Sequence, residues 1–147
     1  MRCWTKALRL MTWAGGTSVR LGRSSCMTHT KPLILVVDDE ALVRFVAADA
    51  LEEGGYAVAE AANAENALKV LEGRTDVQLL FTDVQMPGAF DGLELARKVH
   101  SRWPEIRLII TSGRLQLKPF DIPDHGCFIA KPYRELELLA HVHELIG

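Results

Sequence analysis

Three apolar runs in this chain stop abruptly on charge. Leu79-Leu80-Phe81-Thr82 ends in Asp83 before the Met86-Pro87-Gly88 turn, Leu33-Ile34-Leu35-Val36-Val37 ends in Asp38-Asp39, and Phe128-Ile129-Ala130 ends in Lys131-Pro132. Short apolar runs without alternation are the pattern of parallel strands covered on both faces. Each such strand delivers a charge to its carboxyl end.

The remaining pattern alternates. From Glu40 apolar residues fall into two i, i+4 columns, Leu42, Val46, Ala50 and Val43, Ala47, Leu51, stopped by Gly54-Gly55. Tyr56 to Ala61 predicts a second strand. Asn63 predicts the cap of a helix bearing Ala64, Ala67, Leu68 and Leu71, with Gly73 as its stop. Gln78 to Thr82 is the third strand, and Asp91 caps a helix carrying Leu95, Val99 and Trp103 that Pro104 ends. Ile106 to Ile110 predicts a fourth strand closing on Thr111-Ser112-Gly113. Pro119 and Pro123 interrupt residues 114–125, so a fourth helix is expected to be short or absent. Cys127 to Ala130 and a helix from Arg134 to Ile146 complete the pattern. Five strands alternating with helices give an α/β fold, a parallel sheet covered on both sides.

At 147 residues the chain suffices for one domain. Its charge is uneven. The whole carries −2, while Arg2, Lys6, Arg9, Arg20 and Arg23 face no acid within residues 1–26, so the remainder carries −7. An acidic domain with no basic stripe after Lys31 argues against nucleic acid as its partner. Cys3, Cys26 and Cys127 share no metal-ligand spacing, which fits a reducing cytoplasm. No apolar segment reaches the roughly 20 residues that span a bilayer, so no membrane association is expected. Residues 1–30 are read as a basic extension, disordered or not translated, with Met27 as an alternative start. A transit peptide or a surface helix built on Trp4, Leu8 and Met11 is the rival reading. The domain itself is residues 31–147.

In an open parallel sheet ligands bind beyond the carboxyl ends of the strands. Asp38, Asp39, Asp83, Thr111 and Lys131 all stand at such ends. Two carboxylates about 4 Å apart repel by roughly 4 kcal/mol at an effective dielectric of 20, and one lysine does not neutralise three. A divalent cation does, and an all-oxygen set suits magnesium. Beside it Asp83 is an oxygen nucleophile able to take a phosphoryl group, with Lys131 and Thr111 free to meet phosphoryl oxygens.

Residues 32–146 resemble the response-regulator receiver domains, the CheY-like family. The motifs are Val36-Val37-Asp38-Asp39-Glu40, Thr82-Asp83-Val84-Gln85-Met86-Pro87, Thr111-Ser112-Gly113 and Lys131-Pro132. The resemblance implies a three-layer, flavodoxin-like sandwich with sheet order 2-1-3-4-5, an order that CheY itself exemplifies. It implies Asp83 as the phosphorylated residue. Magnesium would be held by Asp39, Asp83 and the backbone carbonyl of Gln85, and by Asp38 through water. Thr111 and Phe128 match the switch positions, Lys131 the phosphate contact, and the bond before Pro132 is expected to be cis. The phosphate donor would be a histidine kinase or a histidine phosphotransfer protein, and the downstream protein target is unspecified. With the sequence ending at Gly147, the resemblance is to a single-domain receiver that docks on a partner or serves as a phosphate shuttle or sink. The resemblance implies a signalling phosphoacceptor and not an enzyme. Pro87-Gly88-Ala89-Phe90-Asp91-Gly92 looks one residue longer than the family's loop.

Plainer readings exist for each residue. Asp38 and Asp39 can cap the first helix, Thr111 can be an ordinary strand-end hydroxyl and Lys131 a solvated lysine; their convergence is what favours a site. His141 and His143 are expected on the polar side of the last helix, Cys127 in the core, and Met86 and Trp103 in packing. Two other functions compete: a magnesium-dependent phosphatase with an aspartyl nucleophile, and a binding module that is never phosphorylated. The phosphatase class needs an acid two residues after its nucleophile, where this chain has Gln85.

Overall fold

The computed structural model describes residues 31–113, 122–123 and 126–147. The expectations for residues 1–30, and for the proline-broken stretch at 114–121 and 124–125, lie outside the described residues. Among the described residues no helix is long and apolar enough to cross a membrane.

Five strands, β1 (Leu33–Val37), β2 (Ala57–Ala61), β3 (Val77–Asp83), β4 (Arg107–Ser112) and β5 (Gly126–Ala130), form one sheet in the order 2-1-3-4-5. Every pairing is parallel. The described helices are α1 (Ala41–Glu53), α2 (Ala64–Gly73), α3 (Gly92–Arg102) and α4 (Glu135–Ile146). Alternate residues of the central strands serve two separate cores. Leu33, Leu35 and Val37 of β1 join Leu80, Leu108 and Ile110 beneath α2 and α3. Ile34 and Val36 join Leu79, Phe81 and Ile109 beneath α1 and α4. That division explains the unbroken apolar runs, since both sides of the pleat are buried.

Helix ends follow the local chemistry. The Asn63 side chain accepts from the Asn66 N–H and that of Asp91 from the Glu94 N–H, capping α2 and α3 as expected. After α1, Gly55 takes φ +100°, with Gly55 N–H donating to the Glu52 carbonyl and Tyr56 N–H to that of Leu51. This pair of bonds is a Schellman stop. It holds Tyr56 in the turn, so β2 begins at Ala57 and not at Tyr56.

Of the first apolar column of α1 only Ala50 is buried: Leu42 and Val46 are 75% and 46% exposed, as is the neighbouring Phe45 at 61%, whereas Ala47 and Leu51 of the second column are buried. The sheet ends where α1 begins, so its first turns overhang the rim. The final helix buries Leu138 and Val142 fully, and Leu139 and Ile146 in part.

At the opposite side of the rim, α3 starts so close to β3 that a Cβ on Gly92 would run into the Asp83 carbonyl. Gly92 N–H donates to the Val84 carbonyl at 2.9 Å, which fixes the approach. Gly92→Ala is therefore expected to destabilise the fold by about 2 kcal/mol or more through overpacking, read as a lower urea midpoint.

Candidate functional site

The register of the sheet brings one rim together. Val37 pairs with Thr82 and with Ala61, Asp83 with Thr111, and Ser112 with Ala130. The residue following each partner therefore leaves the sheet at the same edge. Two crossing bonds lock this edge: Val84 N–H to the Thr111 carbonyl at 3.0 Å, and Lys131 N–H to the Ser112 carbonyl at 3.1 Å. The Lys131-Pro132 peptide is cis.

Carboxylate oxygens of Asp38, Asp39 and Asp83 lie within 4.8 Å of one another. Asp38 and Asp83 are 4% and 5% exposed, while Asp39 is open to solvent. Lys131 Nζ stands 3.2 Å from Asp38 Oδ2 and 3.5 Å from Asp83 Oδ2. Asp39, Asp83, Gln85, Gly113, Glu40 and Lys131 line a cleft above them. Asp38 does not cap α1: Glu40 is the cap residue and α1 has no side-chain cap bond, while Asp38 Oδ1 accepts from the Glu40 N–H at 2.9 Å. Thr111 is 1% exposed, and its Oγ1 has no hydrogen-bond partner among the described residues. Phe128, one strand over, is half-buried against the core of α2 and α3.

Electrostatics show the strain of this arrangement. Burial pushes the Asp83 carboxyl above the usual carboxylate value, Lys131 pulls it back, and Asp38 adds to the rise. Burial lowers the Lys131 amine, but Asp38 and Asp83 together leave it above an ordinary lysine. Partial burial, with Asp38 and Asp83 nearby, pushes the Tyr133 hydroxyl up to about 12. Three carboxylates against one ammonium leave a negative surplus, and the donors are all oxygens at mutual spacings that suit a small hard dication. The residues fit magnesium.

A family model for the response regulator receiver domain matches residues 34–143. The chain belongs to that family. Among its relatives, the receiver domain is 32% identical over 117 residues to sensor kinase CckA of Brucella abortus, covering 77% of this chain but 12% of that protein. It is 30% identical over 119 residues to response regulator receiver protein CpdR of the same species, covering 79% of this chain and 97% of the relative. A solved CheY-like receiver domain from Methanospirillum hungatei superposes with a TM-score of 0.71 at 28% identity, covering 78% and 93% of the two chains. The flavodoxin-like sandwich and its strand order agree with this receiver domain fold.

Some site features were not foreseen from the sequence. Arg44 contacts the acid turn and is itself held by Glu60, and Gly92 abuts Asp83. Arg44 follows Asp38 by six residues on a helix, and Glu60 interrupts the apolar β2; both signals were present in the sequence. His141 is half-buried, with Nδ1 3.2 Å from Cys127 Sγ, and Cys127 is itself only half-buried. Neither fits the simple surface and core assignments, because β5 is the edge strand and α4 covers it incompletely.

A raised carboxyl pKa has a definite sign in stability. The folded receiver domain holds the Asp83 proton to higher pH than the unfolded chain does. This contribution favours folding at low pH and is lost as pH rises from the ordinary 3.8 through the raised value. Without metal, Asp83→Asn is therefore expected to raise the melting temperature at pH 7, by roughly 4 °C for ~1 kcal/mol of relief. The gain should shrink toward pH 4, as followed by circular dichroism.

Proposed function

We propose that this receiver domain accepts a phosphoryl group on Asp83 from a phosphohistidine of a histidine kinase or phosphotransfer protein, in a magnesium-dependent reaction. The observation that carries this reading is the buried Asp83 carboxylate opening onto a cleft within 3.5 Å of the Lys131 amine and beside two further acids. An Asp83 oxygen attacks phosphorus as the P–N bond breaks, and the electron pair of that bond returns to the imidazole. Asp39, Asp83 and the Gln85 carbonyl would hold magnesium directly and Asp38 through water. Bound there, magnesium would supply charge neutralisation for the acids and polarisation of a phosphoryl oxygen. Lys131 exchanges carboxylate contacts for a phosphoryl oxygen. Thr111, whose hydroxyl is buried without a partner among the described residues, donates to another, and Phe128 follows its movement.

A protein donor is supported by the surface beside the cleft. Leu42, Val43, Val46, Pro132 and Tyr133 line an apolar groove that shares Gly113 and Lys131 with the acid cleft. A phosphohistidine carried on a protein surface can seat apolar neighbours there while its phosphate enters the cleft. The domain would act in the cytoplasm as a signalling phosphoacceptor and not as an enzyme, docking on a target protein or passing the phosphate on.

Incubation with magnesium and acetyl phosphate is expected to give an acid-stable, base-labile adduct, seen by mass spectrometry, that is lost in Asp83→Asn. Absence of the adduct would refute the proposal and favour a module that is never phosphorylated; sustained turnover of phosphomonoesters would favour a phosphatase. Gln85, exposed at the cleft, is proposed to tune the approach of hydrolytic water, so Gln85→Ala should change the phosphoryl half-life while leaving adduct formation intact.

A further inference from the structure

The end of β1 is held from three directions. Asp38 N–H donates to the Ala61 carbonyl at 3.2 Å, the Asp38 side chain accepts from the Glu40 N–H, and the Asp38 carbonyl accepts from Arg44 Nη1 at 2.7 Å. Arg44 reaches this carbonyl from the early part of α1, and its Nε donates to Glu60 Oε1 at 3.1 Å. The Arg44 side chain is 18% exposed and that of Glu60 43%. A half-exposed ion pair adds little to stability. What two N–H groups of one planar fork do well is fix direction. Glu60 sets the plane of the guanidinium, and the guanidinium then sets the carbonyl at the point where the chain turns out of the sheet.

We propose that Arg44, oriented by Glu60, is a positioning residue for the acid cluster: by clamping the Asp38 carbonyl it fixes the turn that presents Asp38 and Asp39 to a divalent cation. This rests on the reading of the cleft as a magnesium site. Charge alone demands the opposite outcome. Arg44 carries the same sign as the metal, so its removal would tighten magnesium binding if it were merely a nearby charge. A positioning role requires that its removal weaken binding. Glu60 would act only through Arg44.

Magnesium chloride alone is titrated into the full chain by isothermal calorimetry, with folding checked by far-ultraviolet circular dichroism. Arg44→Ala is expected to weaken magnesium binding about tenfold, the scale of supporting contacts behind metal ligands. Glu60→Ala should weaken it less, Glu60→Gln, which keeps the accepting oxygen, should bind like the parent, and the double alanine variant should bind no more weakly than Arg44→Ala. Unchanged or tighter binding in Arg44→Ala would overturn the proposal, as would equal losses in Glu60→Gln and Glu60→Ala. If Arg44→Ala does not fold, the exposed Glu60 pair decides the matter by the same criterion. A parent that binds no magnesium would remove the underlying reading as well, whereas a parent that binds beside an unaffected Arg44→Ala removes only the role of Arg44.

Discussion

The arrangement depends on keeping two nearly buried carboxylates, Asp38 and Asp83, beside one ammonium. Like charges removed from water repel strongly, and the fold tolerates them because Lys131 lies between them and Asp39 stays in solvent. Nothing in the packing of the cores requires this. The rim therefore carries an electrostatic tension, two nearly buried acids sharing one ammonium, that the packing of the cores does not relieve.

The rest of the molecule reads as support for that tension. Parallel pairing aligns strand ends, and the two cores on either side of the sheet hold the strands so that side chains from three segments meet. Backbone bonds across the rim, from Val84 to Thr111 and from Lys131 to Ser112, keep acid and lysine in register. Edge-on contact of the Tyr133 and Phe81 rings, with centroids 5.7 Å apart, ties the segment after Lys131 into the core beneath α1 and α4.

Much of this was legible in the sequence because its determinants are local. Apolar runs ending on charge identified three of the strands, Asn63, Asp91 and Gly54-Gly55 identified helix ends, and the convergence of charges on strand termini followed from parallel order. What escaped was set by long-range geometry. Periodicity places Leu42 and Val46 on an apolar column but does not say that the sheet stops short of them. Nor does a helical arginine announce that it will find a carbonyl at the end of a strand, or a glycine at a helix start that it abuts the backbone of Asp83.

Asp38 and Lys131 are 93 residues apart along the chain yet in hydrogen-bond contact, with Asp83 between them in sequence. No contiguous half of the polypeptide contains the rim. During synthesis the acids emerge first and stand without their counter-charge until the edge strand has left the ribosome and paired. The cluster is therefore completed only by the last strand, and a chain interrupted before it carries the acids without the lysine that pairs with them.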